Sequence, residues 1–137
     1  MNESTSCLIL IDPSSPSGED GLRLIEPGER DITLLLLLDD PSAGSLEAFA
    51  RSESIGIGEA ADIYLQQVAG RIPGHCSVAS VSTSGHDAVR EILLTMADHH
   101  STRVVVPSSL PGLAGEAIRH LVSRSTAPIV VAPALAA

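Results

Sequence analysis

The sequence predicts an α/β domain built on an open, five-stranded parallel sheet with helices on both faces. Three observations carry this. Short apolar runs rich in Val, Ile and Leu recur along the chain. Most of them are continuous rather than alternating, the pattern of strands buried on both faces. Amphipathic stretches at helical spacing separate them, and strands that alternate with helices imply crossover connections and parallel pairing.

The first strand runs from Cys7 to Ile11 and ends in Asp12-Pro13-Ser14. The segment from Ser14 to Arg30 holds Pro16, Gly18, Gly21, Pro27 and Gly28. It leaves room for a helix only from about Glu19 to Glu26, roughly two turns. The second strand, Ile32 to Leu38, contains the longest unbroken apolar run, Leu34 to Leu38. Between Ser42 and Gly58, three glycines flank a weakly helical Leu46 to Arg51. The expectation there is a short helix or mobile loop, with the main helix starting at Glu59. Ala60, Ala61, Tyr64, Leu65, Val68 and Ala69 form the apolar stripe of that helix, ended by Gly70 and Pro73.

The third run, Ser77 to Thr83, alternates, so it is read as an edge strand. Ala88, Ile92 and Met96 recur at four-residue spacing with Val89, Leu93 and Ala97 beside them, an amphipathic helix. Asp87 suits the positive end of that helix, and His99 and His100 suit its negative end. The fourth strand is Val104 to Val106. A further helical stripe, Ala117, Ile118, Leu121 and Val122, leads to a fifth strand, Ile129 to Ala132, bracketed by Pro128 and Pro133. There is no internal repeat, and 137 residues predict one domain spanning 1–137.

Composition narrows the function. The chain is 44% hydrophobic and 18% charged, a globular balance. Its net charge is −9, and all eight bases are Arg. Residues 1–62 hold thirteen acids and three Arg, whereas residues 63–137 hold four acids, five Arg and all five His. Nucleic-acid binders need a basic footprint, and single-strand binders need stacking platforms. This chain has neither, since Phe49 and Tyr64 are its only aromatics. Anionic membranes repel such a surface. Cys7 and Cys76 have no metal or redox spacing and suit a reducing compartment. Met1 to Ser6 is polar without a basic start, which predicts no signal peptide and a cytoplasmic protein.

Two loops could carry chemistry. In open α/β sheets ligands lie beyond the carboxyl ends of strands, where strand order reverses. Asp12 at the end of the first strand can accept hydrogen bonds from a sugar or base, although an Asp before Pro is first of all a turn residue. The stretch from Pro107 through Ser108, Ser109, Gly112 and Gly115 to Glu116 precedes a helix, where backbone N–H groups can approach a phosphate. Pro107 and Pro111 each remove a donor, and Glu116 places a carboxylate where phosphate would bind. Gly56 and Gly58 do not follow a strand, so they are no dinucleotide loop. His75, Cys76, His86, His99 and His100 lack metal-site spacing. No serine has a nucleophile-elbow context.

The order of these elements resembles the universal stress protein family. Leu8-Ile9-Leu10-Ile11-Asp12-Pro13-Ser14 is similar to that family's opening strand and nucleotide-contacting Asp. Gly85 to Leu93 resembles its step from third strand to third helix. Val104 to Ser109 lies where its fourth strand and glycine loop stand, and Ala127 to Ala132 resembles its closing strand. The resemblance spans nearly the whole chain. It implies a Rossmann-like sheet of order 3-2-1-4-5 and a homodimer formed by the last strands, here Ile129, Val130, Val131 and Ala132. Nucleotide-binding members carry Gly-x2-Gly-x9-Gly-Ser/Thr after the fourth strand. Here Pro107 and Leu110 replace the first two glycines, and Glu116 follows Gly115 in place of the hydroxyl residue.

The resulting expectation is a non-catalytic, homodimeric stress-response or regulatory domain with a degenerate nucleotide crevice, no required cofactor, and an unidentified protein partner. The alternative is an adenine-nucleotide sensor that takes ATP or AMP through Asp12, Pro13 and the loop carrying Ser108, Ser109, Gly112 and Gly115. A third reading, an enzyme of the wider nucleotide alpha hydrolase-like group, finds no general base or nucleophile with a partner.

Overall fold

The computed structural model describes residues 5–13, 19–38, 40–83, 87–107 and 116–132. Its elements are β1 (Thr5–Ile11), a short 3-10 helix (Asp20–Leu24), β2 (Glu29–Leu37), α1 (Asp40–Ser52), α2 (Ile57–Ala69), β3 (Ser77–Thr83), α3 (Ala88–His99), β4 (Arg103–Pro107), α4 (Glu116–Arg124) and β5 (Ile129–Ala132). The strands form one sheet in the order β3-β2-β1-β4-β5, with every pairing parallel. The open parallel α/β class and the strand order expected from the sequence are therefore present.

The continuous apolar runs are central strands because both of their faces are covered. Cys7, Ile9 and Ile11 of β1 join Ile32, Leu34 and Leu36 of β2 and Val105 of β4 on one face. Leu46 and Ala50 of α1 and Ala60, Ala61, Leu65 and Val68 of α2 cover it. Leu8, Leu10, Leu35, Leu37, Val104 and Val106 form the opposite face, under Val89, Ile92 and Met96 of α3 and Leu121 of α4. Leu8, Ile9, Leu34, Leu35 and Leu36 are wholly buried. Burial of each such side chain contributes about 1.5–3 kcal/mol. β3, the alternating run, is an edge strand as expected, with every residue at least partly exposed.

The crossovers differ from expectation in two places. The first connection holds a 3-10 helix over Asp20–Leu24 rather than two α-helical turns over Glu19–Glu26. Close packing is the reason: Gly21 lies so near the sheet that an added Cβ would stand 2.9 Å from Ile9 Cγ2 and 3.0 Å from Val105 Cγ1. The second difference is α1. A full helix covers 40–52, and α2 begins at Ile57 rather than Glu59. Leu46 and Ala50, one turn apart, are both buried in the core cluster where α1 packs on α2, and Glu47 pairs with Arg51 on the outside. Tertiary packing thus overrides the poor propensity of the glycine-containing segment. Gly56 is the N-cap of α2.

α3 follows its sequence signals closely. Asp87 is the N-cap, and its side chain accepts from the Arg90 N–H at 3.2 Å. The helix ends at His100 in the left-handed region, with φ of 52°, while the Ser101 N–H donates to the Met96 carbonyl at 3.0 Å. Among the described residues, no helix is long and apolar enough to cross a membrane.

Candidate functional site

The strand order reverses at β1. The chain leaves β1 and β2 towards the face covered by the 3-10 helix, α1 and α2, whereas α3 and α4 lie on the other face. Chains that depart to opposite faces leave a crevice between the carboxyl ends of neighbouring strands. Here that place is the β1–β4 boundary, where Ile9 pairs with Val105.

Asp12 is the first residue beyond β1, and it is fully buried. Pro13 follows and lines a cavity of about 220 Å³ together with Ser45, Leu46, Phe49, Tyr64 and Gln67. Asp12 and Pro13 thus follow the carboxyl end of β1, the strand at which the order reverses. Ser108, Ser109, Gly112 and Gly115 lie outside the described residues.

A polar clasp borders Asp12 on the α2 side. The Tyr64 hydroxyl donates to Glu19 Oε2 at 3.2 Å, and Arg71 forms an ion pair with Glu19 Oε1. Burial pushes the Tyr64 phenol well above its ordinary value, and the Glu19 carboxylate adds to this through its charge and the hydrogen bond. The Asp12 charge adds a smaller push, while Arg71 opposes it. Two carboxylates, Glu19 and Asp12, and one guanidinium, Arg71, thus act on the Tyr64 hydroxyl. Glu19, Tyr64 and Arg71 were not singled out as site residues from the sequence. The signal that could have marked this corner was the scarcity of aromatics, because both of them, Phe49 and Tyr64, line the same cavity.

A second buried polar cluster stands at the opposite end of the sheet. Glu29 accepts from Arg103 Nε at 3.0 Å and from Arg103 Nη2 at 2.6 Å. Arg103 also donates to the Leu24 carbonyl at 2.6 Å. These hydrogen bonds and the arginine charge hold the Glu29 carboxyl below its ordinary value, although burial acts to raise it. Cys7 lies nearby, and burial with the Glu29 charge pushes its thiol up to about 12. Cys76 Sγ is 3.5 Å from the Glu29 carbonyl. This cluster is far from the carboxyl-end crevice and ties the sheet together. Among the described residues, no three His, Cys, Asp or Glu side chains converge as a metal site.

β5 presents its outer edge and an exposed Val131, 46% accessible, while Ala132 is buried inside the chain. Of the expected pairing residues, Ile129 and Val130 are intermediate in exposure.

No family model and no curated protein matches the sequence. Solved structures do match the fold. The hypothetical protein MJ0577 superposes with a TM-score of 0.69 at 17% identity, covering 97% of this chain and 98% of its own. A universal stress protein solved in complex with cAMP gives 0.52 at 12% identity, covering 98% and 100%. The universal stress protein from Archaeoglobus fulgidus gives 0.54 at 12% identity, covering 94% and 93%. From one end to the other, this chain is similar to these proteins in fold, and its architecture is that of a universal-stress-protein-like domain.

Proposed function

We propose that this domain is a non-catalytic regulatory domain whose carboxyl-end crevice is a degenerate nucleotide site. The observation that carries the reading is the position of Asp12, fully buried at the strand-order switch point. The stretch that follows β4 has a sequence that discourages phosphate. Pro107 and Pro111 lack N–H donors, Glu116 brings a negative charge, and no Arg occurs between Arg103 and Arg119. Arg103 itself is engaged with Glu29 at the other end of the sheet. Calorimetric titration with ATP is the test. The expected result is no heat of binding at micromolar ligand and no release of phosphate on incubation. A micromolar dissociation constant overturns the reading.

A second reading is favoured by one specific finding, the similar fold of a universal stress protein solved with cAMP. In that reading the domain is a sensor of an adenine nucleotide such as ATP or AMP, held through Asp12 and the backbone of 108–115. It predicts thermal stabilisation by millimolar nucleotide that Asp12→Ala removes. Millimolar ligand exposes weak sites, because ligand at about 100 times its dissociation constant stabilises by about 2.7 kcal/mol.

The homodimer belongs to the same proposal. β5 is an edge strand with an exposed valine, and unpaired strand edges invite pairing. The prolines at 128 and 133 restrict any such ladder to a short register. Light scattering should give twice the 14.2 kDa chain mass, and a 14.2 kDa particle at all concentrations removes the dimer.

A further inference from the structure

The cavity between Pro13, α1 and α2 has the features of a small-molecule site, and Pro13 is the one lining residue it shares with the nucleotide reading. Its floor is Leu46, 5% exposed, and its walls include Phe49 and Tyr64, each partly buried at the margin of the core. Gln67 and Ser45 stand exposed at its mouth. In a chain with one Phe and one Tyr, both line this single space. Aromatic walls with few polar groups are the usual lining of ligand pockets. At about 220 Å³ the cavity is smaller than the roughly 300 Å³ at which drug-sized sites begin, so it holds one ring system and not a whole nucleotide.

The surrounding charge selects among rings. Glu19 accepts the Tyr64 hydroxyl, and Asp12 precedes Pro13 in the lining. Arg71, the cation beside them, is paired with Glu19. The residue 1–62 half that supplies Pro13 and α1 has thirteen acids against three Arg. An anion entering here meets net repulsion, while a cation gains from the negative surroundings and from the aromatic faces.

We propose that the cavity bounded by Pro13, Phe49, Tyr64 and Gln67 binds a single planar ring that is neutral or cationic, flanked by the two aromatic side chains. The site shares Pro13 with the nucleotide reading but needs no phosphate contact and no residue of the 108–115 loop, so it stands or falls separately.

The test uses the intact protein and two rings of equal size and opposite charge, benzamidine and benzoate. Tyr64 is the sole tyrosine, so its ring resonances report on the cavity without ambiguity. The expected result is a saturable, millimolar shift of those resonances with benzamidine and at least about tenfold weaker binding of benzoate, equivalent to about 1.4 kcal/mol. Phe49→Ala should abolish the benzamidine response. Gln67→Arg, at an exposed helical position, should leave the fold intact, weaken benzamidine and strengthen benzoate. No response to either ring overturns the site, and so does benzamidine binding that neither variant alters. An equal response to both rings overturns the charge selection.

Discussion

Glu29 and Arg103 stand on strands that are not neighbours, and their side chains meet across β1 through two hydrogen bonds of 3.0 and 2.6 Å. Both are largely buried, at 5% and 15% side-chain exposure. The same guanidinium reaches the Leu24 carbonyl, and the Glu29 carboxylate accepts from the Glu26 N–H at 2.8 Å. One ion pair thus fixes β2, β4 and the end of the first crossover.

Removing one partner should be costly, because it leaves the other charge buried without compensation. Glu29→Gln is expected to destabilise by about 3 kcal/mol, whereas replacing both with apolar residues, Glu29→Leu with Arg103→Met, should recover much of the loss. Urea denaturation checks this through the midpoint, with the slope unchanged if the native state keeps its compactness.

The same pair makes a defined contribution to acid sensitivity. Glu29 is held below its ordinary value in the folded chain. Its stabilisation is therefore fully present above the unfolded value of about 4.3 and is lost as pH falls through the lower folded value. The gap in urea midpoint between the wild type and Glu29→Gln should be widest near neutrality and close on acidification below about pH 4. A gap that stays constant to low pH would mean that the carboxylate charge contributes nothing.

The two thiols should differ sharply in reactivity. Cys7 is wholly buried and its thiol is pushed up to about 12, so it supplies almost no thiolate at neutral pH. Cys76 is partly exposed. Alkylation of the native protein should modify one site, Cys76, and unfolding in urea should release the second. Mass spectrometry of digested peptides distinguishes the two, and early labelling of Cys7 would contradict its burial.

Gly21 is required by contact rather than by backbone conformation. A methyl group there would press on Ile9 and Val105, two branched side chains fixed in the sheet. Gly21→Ala should destabilise by about 1–3 kcal/mol through overpacking. Gly28, which meets nothing within 4 Å, is the internal control, and Gly28→Ala should leave Gly21-type strain absent in the same thermal melt.

Much of the sheet was legible because its strands are buried on both faces. That leaves an unmistakable trace in runs such as Cys7 to Ile11, and the alternation of Ser77 to Thr83 marked the edge. α1 was less legible. Pro41, Gly44 and Ser45 weaken its helical signal, and only the burial of Leu46 and Ala50 where α1 packs on α2 decides its conformation. Asp12 and Pro13 could be placed at a strand end from the chain alone. Glu29 and Arg103 are 74 residues apart, and their meeting depends on strand register, which no local pattern encodes. The pairing of Phe49 with Tyr64 around one cavity likewise depends on how α1 and α2 pack together.

The central position of β1 also sets a timetable for synthesis. Emerging from the ribosome, β1 can pair with β2 soon after residue 37 is free, but its other edge waits for residues 103–107. During that interval a nascent chain exposes the Leu35 and Leu37 face that α3 and α4 later cover. Exposed apolar surface of this kind on partly folded chains is what draws aggregation and chaperones. Arrival of β4 closes the barrier-crossing contacts at long sequence separation, so folding on the ribosome should be completed late and abruptly, not strand by strand.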